Sequence, residues 1–367
     1  MMNYEIFKEV LKKKIKEYMP SEFKNYKVVE RKVHKVNCDR DAINVVSAEK
    51  NKGISGSPTI YIDSLYEMYK QGESMGEIIR DAADMITEGY NKMPEIMKDE
   101  KLDMDKLKEK LIVTLVNTAQ NENYLKGVPH REFLDLSVVY RCLINTDKNG
   151  TSSIVVTNDL AETMGMNEAQ LYEQAMANTP KLLPVSIRPM DEIICEIILK
   201  EMGEAQDIVS REETMSVIDE VKRSSKGMDL YVMTNSEKFN GASELLFPEN
   251  LDELSKKFDS DIYIIPSSTH EIIAISSTGK DVNELQEMVN EVNMNEVLIE
   301  DRLSNEVYHY DKNKKELTVA SDAPNKSLDD NIVAEPLSYD RSEKTYAGFS
   351  TAAQRSSRCV LSGQRRD

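Results

Sequence analysis

The spacing of hydrophobic residues changes period repeatedly along this chain. Over residues 4–18, Ile6, Val10, Leu11, Ile15 and Tyr18 share one stripe with lysines opposite, which predicts an amphipathic helix ended by Pro20. From Tyr26 to Val36, Val29 and Val33 alternate with Arg31 and Lys35, the period of a strand. Short apolar, β-branched runs predict further strands at 43–46, 59–62, 111–116, 133–144, 154–157, 182–187, 230–234, 262–265, 272–275, 307–310 and 316–319. Helical spacing predicts helices at 64–71, 75–92, 121–126, 158–164, 168–178, 190–200, 212–223, 250–258 and 281–294. Two turns punctuate these elements. One is Gly53-Ile-Ser-Gly-Ser-Pro58; the other is Asp147-Lys-Asn-Gly150, where Asn-Gly supplies the positive φ angles of a tight hairpin.

Strands joined by hairpins and interrupted by helix pairs, without strict β-α-β alternation, predict an α+β fold of mainly antiparallel sheets. Val138, Val156, Val185, Val232, Ile264 and Ile273 are expected to be buried against the helices at 75–92 and 168–178. The pattern divides into an N-terminal α+β region (1–95), a charged connector, a main α+β region (104–320) and a polar, Arg-rich tail (321–367). The tail has no apolar period with which to offset ordering entropy and reads as disordered. Ser74 and Glu77, Asn167 and Gln170, and Asn250 and Glu253 share capping-box spacing. This weak repetition reads either as an old duplication or as the signals that any strand–helix–helix unit needs.

Composition narrows the function classes. The net charge of −18 over 367 residues disfavours duplex nucleic acid, whose binding is mainly electrostatic. Residues 1–36 nevertheless hold ten Lys/Arg against five Asp/Glu, so a basic patch of Lys12, Lys16, Lys27 and Arg31 is a possible nucleic-acid surface. Cys38, Cys142, Cys195 and Cys359 are scattered, with neither disulfide nor zinc spacing, and Cys142 and Cys195 read as buried free thiols. No run approaches the roughly 20 apolar residues of a bilayer span, and no leader precedes the first helix. The expected compartment is the cytoplasm. No cofactor motif and no metal set is legible: Gly53–Pro58 lacks the residues of a phosphate-binding loop.

The densest group of reactive side chains is the tip between the runs Ile262–Ile265 and Ile272–Ile275. Ser267, Ser268, His270 and Glu271 there are candidate catalytic residues, in a nucleophile–base arrangement that would need a distant acid. The same tip reads structurally as a turn whose hydroxyls bond backbone, with one of His270 and Glu271 facing inward and the other outward. His34 and His309 alternate with charged neighbours and read as exposed, and His130 reads as a partner of Glu132 or Asp135 where a loop enters a strand.

One ordered set of motifs carries a resemblance. Phe133-Leu-Asp-Leu-Ser-Val-Val-Tyr140, Ile154-Val-Val-Thr-Asn158, Tyr231-Val-Met-Thr-Asn235, Leu245-Leu-Phe-Pro248 and Ile264-Ile-Pro-Ser-Ser-Thr-His-Glu-Ile-Ile273 follow in that order. Over roughly residues 1–310 the chain resembles a domain-of-unknown-function family found in gut clostridial bacteria, often near mobile elements. The resemblance implies a cytoplasmic bacterial protein and carries over no site. Without a complete catalytic set, the leading expectation is a non-enzymatic binding or regulatory module whose partner is another protein. The alternatives are a hydrolase-like enzyme using residues 267–271 and a nucleic-acid-associated protein using the basic N-terminal segment. The oligomeric state is open.

Overall fold

The computed structural model describes residues 1–47, 57–91, 103–147, 150–204, 211–224, 230–266 and 268–321. Part of the 53–58 turn, most of the connector, Ser267, Cys359 and the tail from 322 lie outside the described residues. The described chain divides into two compact units between Leu107 and Lys108.

The first unit opens with helix α1 (Tyr4–Lys14), capped by Asn3, whose side chain accepts the Ile6 N–H. Strands β1 (Tyr26–Lys35), β2 (Cys38–Ser47) and β3 (Thr59–Tyr61) form an antiparallel sheet in that order. Helices α2 (Ile62–Lys70) and α3 (Met75–Asn91) complete the unit. Phe7, Leu11 and Ile15 of the first helical segment meet Ile43 and Val45 of β2 and Ile78, Ile79, Ala82 and Ile86 of α3 in one core. The N-terminus of α3 is closed by the capping box that Ser74 and Glu77 predict: each accepts the other's backbone N–H. The helix at 75–92 therefore packs its apolar stripe within this unit rather than on the strands listed above as expected core.

The second unit starts with a short helix, α4 (Met104–Glu109), and strand β4 (Leu111–Asn117), whose seven residues are all buried. A one-turn helix, α5 (Glu122–Leu125), leads to β5 (His130–Phe133), β6 (Leu136–Asp147) and β7 (Gly150–Val155). β6 pairs with β4 along one edge and with β5, then β7, along the other. The single strand predicted at 133–144 is thus the end of one strand, a two-residue turn and most of the next. That turn carries no Gly, Asn-Gly or Pro signal. Instead Leu134 itself adopts φ 56° and is 40 % exposed. A two-residue hairpin loop with positive φ at its first position favours glycine there. We expect Leu134→Gly to raise the melting temperature by an amount equivalent to about 0.5–1 kcal/mol; an unchanged or lower value by calorimetry would contradict this.

Helix α6 (Asn158–Met164) follows a Thr157 cap and ends on Gly165 at φ 66°. Helix α7 (Glu168–Leu182) begins with the second predicted capping box, Asn167 with Gln170. It runs through Pro180 to Leu182, past the predicted end, because a proline in the last turn removes only one internal bond. Thr179 on α7 accepts the outward Val113 N–H, so the helix satisfies the free edge of β4.

Strand β8 (Val185–Pro189), helices α8 (Met190–Glu204) and α9 (Arg211–Ser224), and strand β9 (Leu230–Asn235) come next. Then follow helix α10 (Pro248–Phe258), the hairpin β10 (Ile262–Ile265) and β11 (Ile272–Ser276), helix α11 (Val282–Asn295), and β12 (Tyr308–Asp311) with β13 (Glu316–Val319). These strands form a six-stranded antiparallel sheet in the order β13-β12-β10-β11-β9-β8. The fold is α+β and antiparallel throughout its described sheets. Val138, Val156, Val232 and Ile264 are buried. Val185 is 37 % exposed because β8 is an edge strand, and Ile273 is half-buried. The third capping box does not form. Pro248 opens α10 two residues before Asn250, which donates from inside the helix to Glu244 instead.

Candidate functional site

The tip between β10 and β11 is docked on two segments distant in sequence. From one side, the Gly241 and Ala242 N–H groups donate to the carbonyls of His270 and Thr269 at 3.0 and 3.1 Å, and the Thr234 hydroxyl donates to the His270 carbonyl at 2.7 Å. From the other side, the Thr269 N–H donates to the Asp301 carbonyl at 2.8 Å, the Ser304 N–H to the Pro266 carbonyl, and Ser268 forms a bridge with Arg302. Ser268 and Thr269 are buried.

The ring of His270 is held at both nitrogens. Nδ1 accepts the Asn240 N–H at 3.2 Å, so Nε2 carries the proton and faces Asp301 Oδ1 at 3.2 Å. Burial pushes this imidazole's pKa down, but the Asp301 bond and the charges of Asp301, Glu271 and Glu300 outweigh it and hold the pKa above its ordinary value. The Ser268 hydroxyl oxygen accepts the backbone N–H of His270 at 3.0 Å, a local turn bond. The structure thus joins His270 to an acid but places no described serine hydroxyl on its ring. Glu271 and His270 are both half-buried, against the expected inward–outward split. Burial pushes Glu271 up to about 7.

Beneath the tip, residues 241–246 form a buried 3-10 turn. Glu244 there is 1 % exposed; Asn250 donates to its Oε2 at 2.7 Å, while its Oε1 has no partner. Burial raises its pKa to about 8. A second cluster lies at the start of α7. Arg131 grips Glu168 with two nitrogens at 3.1 and 2.9 Å and stacks 3.9 Å from the Tyr172 ring centroid, and the Tyr140 hydroxyl also donates to Glu168. Burial alone would raise Glu168, but these bonds hold it below the usual carboxylate range. Glu168 borders an open groove of about 550 Å³ with Lys126, His130, Asn158 and Glu162. Asp301, Glu244 and Glu168 were invisible in the sequence because each meets its partner through folding, not through spacing.

Lys12, Lys16, Lys27 and Arg31 do not gather on one face as a set. Lys12 on α1 pairs with Glu30 of β1 at 2.7 Å, and Lys16 donates to the Lys24 carbonyl. Lys27 and Arg31 differ from Glu30 by odd numbers of strand positions and so point to the opposite side of the sheet. His34 pairs with Asp39 at 2.6 Å, and His309 lies 3.6 Å from Asp261. Cys142 and Cys195 are buried and free, and burial lifts the Cys142 thiol to about 12, far from a reactive thiolate. Among the described residues, no group of three or more His, Cys, Asp or Glu side chains could hold a metal ion, and no helix is long and apolar enough to cross a membrane.

No curated protein and no solved structure matches this chain. Residues 4–312 match the model of a family of unknown function, DUF5688, and the chain belongs to that family.

Proposed function

We propose that this protein is a non-enzymatic binding or regulatory module that acts on another protein in the cytoplasm of a bacterium. We also place it among gut clostridia and near mobile elements. The observation that carries the functional reading is the state of the hairpin tip. A general base needs a free ring nitrogen within reach of the nucleophile. Both nitrogens of His270 are engaged by internal partners, and Ser268 is turned onto backbone. The tip acts as a clasp between the 240–242 and 301–304 segments.

On this reading the tip residues govern stability and not turnover. His270→Ala should cost about 1–3 kcal/mol and Ser268→Ala about 1 kcal/mol in urea unfolding, since each leaves a donor unpaired. Neither the parent nor the variants should be labelled by a fluorophosphonate probe or hydrolyse p-nitrophenyl esters. Labelling of Ser267 or Ser268 that disappears in His270→Ala, with melting unchanged, would replace this reading with the hydrolase.

A further inference from the structure

The three-stranded sheet of the first unit segregates its charge. Residues directly opposite each other in antiparallel strands share a face. The register pairs Lys27 with Val46, Val29 with Asn44, Arg31 with Ala42, Val33 with Arg40 and Lys35 with Cys38, and it sets Tyr61 beside Ala42. One face therefore presents Lys27, Arg31, Lys35 and Arg40, and no acidic residue of any of the three strands. Glu30, Asp39 and Asp41 all lie on the other face. There they are answered by Lys8 and Lys12 of α1 and by Lys32 and His34, on the side where Ile43 and Val45 join the helical core.

Lys27 and Arg31 are exposed, and Val29 between them and Val33 beyond Arg31 are partly so. No ion pair engages Lys27, Arg31 or Lys35 among the described residues. In a chain of net charge −18, a sheet face whose strand charges are all positive is a local exception that solubility does not require.

We propose that this face docks an extended acidic segment of a partner protein; the inference rests on the binding-module reading above. Charge complementarity selects the sign, and the strand geometry selects the form. Lys27, Arg31 and Lys35 recur every fourth residue, about 13 Å apart, with Val29 and Val33 between. An extended peptide with acidic residues four apart and aliphatic ones between matches that row. A single nucleic-acid strand fits less well. It needs open aromatic faces for its bases, and the Tyr61 ring already carries Lys35 at 4.3 Å and Arg40 at 5.4 Å.

The test is fluorescence anisotropy on the full chain with three labelled probes: a twelve-residue peptide with Glu at every fourth position and Val between, its Lys-for-Glu counterpart, and a twelve-nucleotide oligouridine. The acidic peptide should bind, and its affinity should fall at least tenfold between 50 and 300 mM salt. The triple variant K27E/R31E/K35E should lose at least tenfold more, with an unchanged melting temperature. Lys32→Glu, on the opposite face, should bind like the parent. Absence of peptide binding, equal loss in Lys32→Glu, or tighter binding of the oligouridine would each overturn the proposal. A failure here with no fluorophosphonate labelling would remove only this face and leave the module reading standing; labelling at the tip would remove both.

Discussion

Gly241→Ala should unfold the second unit or cost it at least about 4 kcal/mol, in the range reserved for clashes with fixed backbone. A Cβ at Gly241 would sit 2.2 Å from Thr234 Oγ1, 2.4 Å from the His270 carbonyl oxygen and 2.8 Å from Thr234 Cα. Neither of the last two can swing away. The carbonyl is the acceptor shared by the Gly241 N–H and the Thr234 hydroxyl, and it belongs to the docked tip. Making room would break both bonds and push the β10–β11 hairpin out of its seat. Gly76→Ala is the matched control. It lies in the first turn of α3, where the nearest atom to a new Cβ is the Tyr18 hydroxyl at 3.8 Å, and should be neutral or stabilising by up to about 1 kcal/mol. Guanidinium unfolding of both variants decides the matter. A Gly241→Ala protein within 1 kcal/mol of the parent would mean that the close packing described at this position is wrong.

The second large effect is on the pH dependence of stability. Glu244 has its folded-state pKa raised from 4.5 to about 8 by burial. Between those values the folded state holds a proton that the unfolded state has lost. Stability from this group is therefore complete below about pH 4.5, declines as pH rises, and levels off above about pH 8, a total change on the order of 4–5 kcal/mol. Glu271, raised to about 7, and His270, also raised, act with the same sign. The lowered carboxyls of Glu30 and Glu168 act oppositely and weaken the fold as pH drops through their folded values. Maximum stability should then fall near pH 5, on the acid side of neutrality. Glu244→Gln removes the ionisation and keeps the shape. It should flatten most of the slope between pH 5 and 8 and unfold at higher urea than the parent at pH 9. A parallel pH profile in the two proteins would show that Glu244 is ionised and solvated in the fold.

Much of the fold was legible in the sequence, and the gaps have identifiable causes. β4, α6 and β13 announce themselves by period and by cap or turn residues, and the two formed capping boxes sit where Ser74 and Asn167 place them. The β5–β6 turn was hidden because a leucine occupies the left-handed position at which such a turn favours glycine. β2 extends to ten residues because β1 pairs along its whole length, including charged positions that no apolar period could mark. The tip stands out in the sequence by its density of polar side chains, yet the partners of its histidine, Asn240 and Asp301, lie 30 and 31 residues from His270. No spacing rule encodes such partners. The basic N-terminal run could not be sorted into faces from the linear sequence, because successive strand residues face opposite ways and Lys12 is taken up by Glu30.

Asp135, in the turn after β5, accepts the Ser304 hydroxyl at 2.7 Å and the Tyr308 hydroxyl at 2.6 Å, across 169 and 173 residues of chain. A link of that span closes one of the longest loops in the molecule and repays its closure entropy only once the intervening helices and strands have taken their places. Its formation is accordingly expected late, so its loss should show in the unfolding rate more than in the refolding rate. The four-stranded and six-stranded sheets of this unit are therefore joined through one carboxylate, a latch expected to act on how slowly the completed fold comes apart.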